Sequence, residues 1–432
     1  MTYRPVVDQF VVPAPLDPLS AAFFVAAFVL ATLLTVRRPA YGLFVLIVTT
    51  PIALAHEIAS TTITLEKSVL LGVLLGIIAR RGAVDALRSR PAPLLLGALG
   101  AYCIASALTL LDAAYPGATL RETLKAVQYA AVFAAAFCCY KADPDDQLLV
   151  AAAAAAAIVV AGSALLQEII GAPSGQYIGA AIVPRIAGLL EGPNQLSAYC
   201  EIAVATLGAW ALVRRTALLD AALALIVCAG VLSFSRAGIF GLAIVVAILT
   251  IVGGTRTWRA LRAAVIGLAA GLGVTAWWAI YAHAPGILRV SLQPSLYAGG
   301  VGNRGELWRA AWRMWLDRPI LGVGAGNFEL ELPRYGVSGV RTHANSWYLQ
   351  SLAEGGIVLF AATIALLAAI AASFSSEIAR LRTASPWILA AVSASVALAL
   401  HQVVDYLVFY PKVGIAWWLL LGIGAAALPA RE

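Results

Sequence analysis

Apolar stretches broken by short clusters of charge, glycine and proline recur along the whole 432-residue chain. Runs bounded in this way lie near 20–36, 41–56, 66–80, 93–111, 120–139, 146–171, 192–213, 217–234, 237–253, 261–282, 345–373, 386–405 and 413–428. A helix that crosses the hydrocarbon of a bilayer needs ~20 mostly apolar residues. The pattern therefore predicts an all-α polytopic integral membrane protein with about twelve transmembrane helices, twelve or thirteen. Several early runs are short for a crossing, and the pair split by Ser235 and Arg236 reads equally well as one broken helix.

Composition agrees with the pattern. The chain is 62% hydrophobic and 12% charged, with a mean hydropathy of +0.89, whereas soluble domains carry about a quarter charged residues. No part has the composition of a soluble domain, so residues 1–432 read as a single membrane domain. Asp8 and Asp17 precede the first apolar run without a basic leader, which reads as mature sequence. Cys103, Cys138, Cys139, Cys200 and Cys228 all lie in apolar runs and read as small core hydrophobes.

Basic residues of short loops favour the cytoplasmic side. Assigning alternate connections to that side collects Arg37, Arg38, Arg80, Arg81, Arg88, Arg90, Lys141, Arg214, Arg215, Arg256, Arg259, Arg262, Arg380, Arg382 and Arg431. Outside one long loop, the opposite side keeps Arg4, Lys67, Arg121, Lys125, Arg185, Arg236 and Lys412. The long connection over residues 284–344 then faces the periplasm, and it is too long and too rich in glycine and proline for a hairpin. Within it, Asn303 to Asp317 places Trp308, Trp312 and Trp315 on one helical face and Arg309 and Arg313 on another, which predicts an amphipathic interfacial helix. Its tryptophans either anchor the loop at the headgroups or grip lipid or sugar.

Against this trend, three arginines map to the outer face: Arg185 in PRIAGLLEGPNQLSAY, Arg236 in SFSRAG and Arg304 in GNRGELW. A charge at membrane depth costs roughly 2.5–3.5 kcal/mol, so each needs a partner. Pyrophosphate suits the planar guanidinium fork. The plainer reading pairs each arginine with a carboxylate such as Glu191, Glu201 or Glu306, or lets it snorkel. All four histidines, His56, His283, His343 and His401, fall near outer ends of spans. His343, in RTHANSWYLQSLAEGG beside Arg341 and Asn345, is the candidate general base for a sugar hydroxyl. His283 and His401 read as helix-end hydrogen bonds or, for His401, a pair with Asp405. Asn194 and Asn345 are candidates to orient the donor or the histidine.

Metal and nucleotide chemistry find little support. The acidic cluster at Asp143 to Asp146 lies on the cytoplasmic side at a helix start and reads as a cap. HEIAS at His56 lacks the second histidine of a zinc-protease motif, and GVGAGN at Gly322 lacks the lysine and hydroxyl of a phosphate loop. No cofactor and no nucleic-acid partner are indicated.

The order of SFSRAG, the long loop with GNRGELWRAAWRMWLDRPILGVGAGNFE, and THANSWYLQSLAEGGIVLF resembles the O-antigen ligase and polymerase superfamily of membrane proteins. The resemblance covers roughly residues 185–375. It implies an inverting glycosyl transfer from undecaprenyl-pyrophosphate-linked O-antigen to the lipid A core, among membrane lipids at the periplasmic face of a bacterial inner membrane, without metal or nucleotide. Carried over motif by motif, His343 is implied as base, and Arg185, Arg236 and Arg304 as the group holding the pyrophosphate. Glu191, Asn194, Asn345 and Arg341 would support them. Ligases of this kind have twelve spans, and the thirteenth run here departs from that. A polymerase or a pilin ligase of the same superfamily would share the donor chemistry. A lipid-linked glycan transporter would instead show charges deep in several spans, where only Glu201 and Glu354 stand out.

Overall fold

The computed structural model describes the chain except residues 1–13, 16, 53, 59–60, 81–82, 171–174, 179–180, 282–303, 339–341, 379 and 430–432. The apolar runs become helices: α1 (Pro18–Arg37), α2 (Pro39–Thr49), α3 (Leu65–Ala79), α4 (Ala92–Leu108), α5 (Pro116–Ala142), α6 (Asp146–Ile170), α7 (Pro193–Ala211), α8 (Ala217–Leu232), α9 (Arg236–Gly253) and α10 (Arg256–Tyr281). Beyond the long loop's helix, α11 (Arg304–Asp317), follow α12 (Trp347–Ile378), α13 (Pro386–His401) and α14 (Pro411–Ala426). Among the described residues seven helices are long and apolar enough to cross a membrane, namely α1, α4, α5, α6, α9, α10 and α12. Helices α2, α8, α13 and α14 are apolar but shorter. The architecture is all-α and polytopic, with α1 packed on α3, α14 on α5, α13 on α7 and α10 on α8.

One end of the bundle is closed by paired charges. Arg38 bridges Asp143 at 3.0 Å and Asp145 at 3.1 Å, and Asp220 takes Arg215 and Arg262. Arg80 and Lys141 cap the carbonyls of Val36 and Ala426 at 2.8 and 3.1 Å. Asp145 also accepts the Leu148 N–H, so the acidic cluster does cap α6 while holding Arg38.

Two expectations need correction. The run at 41–56 is not one helix: α2 stops at Thr49, with Thr50 still helical in its backbone at φ −50°, and Pro51 follows without an N–H to continue the ladder. Its tail instead forms strand β2 (Ala55–Ile58), antiparallel to β3 (Thr61–Thr64), a threonine-rich segment suited to a strand, and β1 (Ala14–Pro15) pairs with β2 in parallel. A second hairpin, β4 (Gly175–Ile178) with β5 (Ala181–Pro184), leads directly into Arg185. The segment around Ser235 is not one broken helix either. Gly230 of α8 lies against Cys200 of α7 while Gly238 and Gly253 of α9 lie against Ser197 and Leu212, so α9 runs parallel to α7 and α8 antiparallel to it. The chain reverses at Ser233 to Ser235, with Phe234 at φ 51° and the Ser235 hydroxyl accepting the Gly238 N–H at the start of α9.

In α11 the side facing protein is small and aliphatic: Leu307, Ala310, Ala311 and Met314 pack against Val323, Phe328, Leu332, Ala344 and Ala353. The tryptophans flank that face, with the rings of Trp312 and Trp315 4.6 Å apart, and Arg309 and Arg313 lie on the open side. Expected as an interfacial helix, α11 is thus docked on α12.

Residues 318–328 form a strap against a break in α12. At Gly356 the helix turns through φ 55°, freeing backbone groups in a buried stretch of the chain. The strap takes them from both sides. Pro319 and Ile320 carbonyls accept the N–H groups of Ile357 and Val358 at 2.9 and 3.3 Å, and the Val323 and Gly324 N–H groups donate to Ala353 and Glu354 carbonyls at 3.0 and 2.8 Å. This close approach is the use of the GVGAGN motif: a Cβ on Gly322 (φ 63°) would collide with the Glu354 carbonyl group. Asn327 then fastens the strap to α5 through the Tyr115 N–H at 2.8 Å and the Thr119 hydroxyl at 2.9 Å.

Gly322→Ala should therefore cost more than about 3 kcal/mol, strain plus lost strap bonds, whereas Gly336→Ala, also left-handed (φ 86°) but surrounded by open space, should cost about 1–2 kcal/mol. Denaturant unfolding in detergent compares the two; equal costs would show that the strap contact is unimportant.

Candidate functional site

The site lies at the end of the bundle opposite the paired charges and is assembled from segments between helices. Arg185 follows β5 and is largely buried. Its guanidinium donates from Nε to the Ser233 carbonyl at 3.1 Å and from one terminal nitrogen to Asn194 Oδ1 at 3.0 Å. Asn194 in turn donates to Asp405 Oδ2 at 2.7 Å, and the other Asp405 oxygen accepts the Tyr406 N–H at 2.8 Å. A chain of bonds thus runs from the α8–α9 reversal through the start of α7 to the α13–α14 linker. It fixes the plane of the guanidinium.

Burial foremost, then repulsion from Arg304 and Arg236 against the attraction of Asp405, brings Arg185 down from its ordinary 12.5 to about 10. It still carries a full charge at neutral pH. The charges of Arg304 and Arg236 both bear on Arg185, although the three are 51 and 68 residues apart along the chain, so the fold brings the two within electrostatic reach of the third. Arg236 is the first residue of α9 and Arg304 the first of α11. A helix N-terminus is already the positive end of a dipole, so a cation there is placed against preference and an anion with it. Two guanidiniums at two N-termini around a third make a region of strongly positive potential.

His343 sits in an aromatic enclosure made by the same α13–α14 linker that carries Asp405. Its ring lies 3.9 Å from Phe409, 5.5 Å from Tyr406 and 5.9 Å from Tyr410, and its Nε2 is buried without a hydrogen-bond partner. Lys125 reaches in from α5, bonded to Glu122 and to the Phe409 carbonyl, each at 2.8 Å, with its ammonium 3.9 Å from the Phe409 ring centre. Burial first and the Lys125 charge second push His343 from 6.5 down to about 3. The imidazole is neutral throughout the physiological range. Tyr410 links the two halves: burial, then the carboxylates of Asp405, Glu191 and Glu329, hold its phenol protonated.

The remaining sequence candidates divide. Asn194 bridges Arg185 and Asp405. Asn345 acts through its backbone, at φ 50°, turning the chain between His343 and α12. Glu191 is not seen to pair with an arginine; it lies 3.8 Å from Lys412, whose ammonium also donates to the Leu189 carbonyl, and burial pushes the carboxyl up. Glu201 and His401, expected to pair with an arginine and with Asp405 respectively, instead meet each other at 2.6 Å inside the bundle, because α7 and α13 are packed face to face. Arg341 and His283 lie outside the described residues. His56 stands on β2, edge-on to Phe24 at 5.6 Å.

Sequence reading missed the α13–α14 linker. Asp405, Tyr406, Phe409 and Tyr410 all come from HQVVDYLVFYPK, and the signal was there in a cluster of aromatic and charged residues between two apolar runs. The Trp347 N–H, donating to the carbonyls of Gln402 and Asp405 at 3.0 Å each, ties this linker to the start of α12. Among the described residues no group of three or more His, Cys, Asp or Glu could hold a metal ion.

Residues 221–364, about a third of the chain, match the family described as O-antigen ligase. That stretch holds Arg236, Arg304, the strap and His343, while Arg185, Asn194 and Asp405 lie outside it. No curated protein matches the chain.

Because His343 is brought down to about 3, its folded form favours the neutral ring at every pH above that value. In a histidine-labelled sample its imidazole resonances, assigned by loss in His343→Gln, should stay at their neutral positions from about pH 8 to about pH 5. Titration near the ordinary histidine value would mean that the ring is open to water.

Proposed function

We propose that this member of the O-antigen ligase and polymerase superfamily is an O-antigen ligase, an inverting glycosyltransferase that moves O-antigen polysaccharide from undecaprenyl pyrophosphate to a sugar of the lipid A core at the periplasmic face of the inner membrane. The observation that carries the reading is the convergence of Arg185, Arg236 and Arg304, two of them at helix N-termini, at the less basic end of the bundle. A pyrophosphate diester gains negative charge as the glycosidic C–O bond breaks. Fixed cationic donors in a partly dry site therefore stabilise the transition state more than the ground state. Arg185 cannot swing away, since Ser233 and Asn194 hold it.

His343 serves as base in this reading. The acceptor hydroxyl attacks the anomeric carbon from the face opposite the leaving group, and its proton passes to Nε2. A ring brought down to about 3 is a weak base in the empty site, but an entering pyrophosphate opposes the Lys125 charge and raises it. Nε2 is enclosed as the site stands, so the acceptor reaches it only after an aromatic neighbour such as Tyr410 moves. The arginines supply the positive charge that a divalent ion supplies in many glycosyl transfers, which is why the reading needs no metal or nucleotide.

Purified protein given undecaprenyl-pyrophosphate glycan and lipid A core should transfer the glycan in the presence of chelator. Arg236→Ala and Arg304→Ala should each lower the rate roughly 10- to 1,000-fold, and Arg185→Lys should also fail because an ammonium cannot make both guanidinium bonds. Elongation of a second lipid-linked glycan with no use of lipid A core would identify a polymerase instead. Cysteines placed at Arg334 and at Arg214 should react with impermeant reagent from the periplasmic and cytoplasmic sides respectively; the reverse would overturn the orientation.

A further inference from the structure

Glu354 and Gln350 take no part in the arginine cluster, yet both are buried polar groups on the first turns of α12, directly after the His343 turn. Glu354 Oε1 accepts two bonds, from the Phe328 N–H of the strap at 3.0 Å and from Gln350 Nε2 at 2.8 Å. Gln350 Oε1 accepts the Ala344 N–H at 2.7 Å. The direction of this chain is fixed, because a backbone N–H can only donate and so the amide must turn its oxygen toward Ala344 and its NH₂ toward the carboxylate. Ala344 lies between His343 and Asn345, whose left-handed backbone, readily adopted by asparagine, turns the chain toward α12.

We infer that Glu354 is a positioning residue for His343, acting through Gln350: the carboxylate orients the amide, the amide holds the Ala344 N–H, and the histidine turn is thereby set at a fixed height above the start of α12. The inference rests on the reading of His343 as base. A second consequence follows from the other bond that Glu354 accepts. The same oxygen holds Phe328, so the strap that follows α11 and the histidine turn share one anchor. Arg304 on α11 and His343 are therefore registered to each other through Glu354 rather than through direct contact. Lys125, whose charge reaches His343, lines a common cavity with Glu354.

The two side chains can be exchanged, and that swap is the test. Gln350→Glu alone removes the NH₂ from which Glu354 accepts and sets two carboxyl groups in contact, and should lower kcat at least about tenfold, with the affinity for the donor lipid unchanged within about twofold. Adding Glu354→Gln restores the half of the chain that holds Ala344. The carboxylate now at position 350 accepts from the Ala344 N–H and from the amide now at position 354; because that amide sets its NH₂ where Glu354 Oε1 stood, the bond from the Phe328 N–H is given up. Most of the lost kcat should return. Hydrogen exchange at Ala344 gives a readout independent of activity, and should quicken in Gln350→Glu and slow again in the double variant. If both singles and the double fold but the double recovers neither exchange protection nor kcat, the chain is not what holds the turn. In a His343→Ala background Gln350→Glu should cause no further loss of rate; an added loss of about tenfold would overturn action through His343. Full transfer by His343→Ala alone would instead remove the base reading, and with it the catalytic use of the chain, while the exchange data would still report whether the turn is held.

Discussion

The break in α12 at Gly356 is the constraint around which the functional end of the molecule is organised. Backbone groups freed in a buried place must find partners inside the protein, because an orphan there costs about 1–3 kcal/mol or more. Here the partners are the carbonyls and N–H groups of the strap. Satisfying the break brings the strap to a fixed place on α12, and the strap brings α11 with it, packed through Leu307, Ala310, Ala311 and Met314. The same first turns of α12 follow the His343 turn. A requirement of buried hydrogen bonding thus determines where Arg304 and His343 stand relative to one another.

The two ends of the bundle treat charge in opposite ways. At one end Arg38 has Asp143 and Asp145, and Arg215 and Arg262 share Asp220, so that each guanidinium adds to cohesion. At the other, Arg185 feels one carboxylate, Asp405, against two further arginines. Like charges gathered in a partly buried place raise the free energy of the empty site, and the fold withstands this through neutral bonds: Ser233 to Arg185, Asn194 to both Arg185 and Asp405, and Ser235 at the cap of α9. An arrangement of that kind favours an anionic occupant.

Much of the frame was legible in the sequence because a membrane helix announces itself by composition alone. Each of the apolar runs contains a helix, and the paired basic end follows from the arginines between them. Legibility failed where the controlling interaction is distant. Asn194 meets Asp405 across 211 residues and Tyr115 meets Asn327 across 212, and no local periodicity encodes such a meeting. The β2–β3 hairpin was missed because its strands, AHEI and TTIT, are too short to show an alternation of their own between two apolar runs. The use of GVGAGN was missed because its glycines answer to a break in a later helix rather than to a ligand. Arg185, Arg236 and Arg304 stood out for the opposite reason: charge that runs against the trend of the basic loops is visible without knowing what it touches.

The strap also limits how chains of this design can diverge. Held on both sides of the break, residues 319–324 act as a measured length between two fixed anchors. A substitution on their exposed side, at Ile320 for example, leaves the measure intact. A single inserted or deleted residue shifts every later bond by one position, aims the wrong groups at Ala353 and Glu354, and carries Asn327 out of reach of Tyr115. Variation in length is therefore confined to other connections, and this stretch is a ruler that drift can repaint but not lengthen.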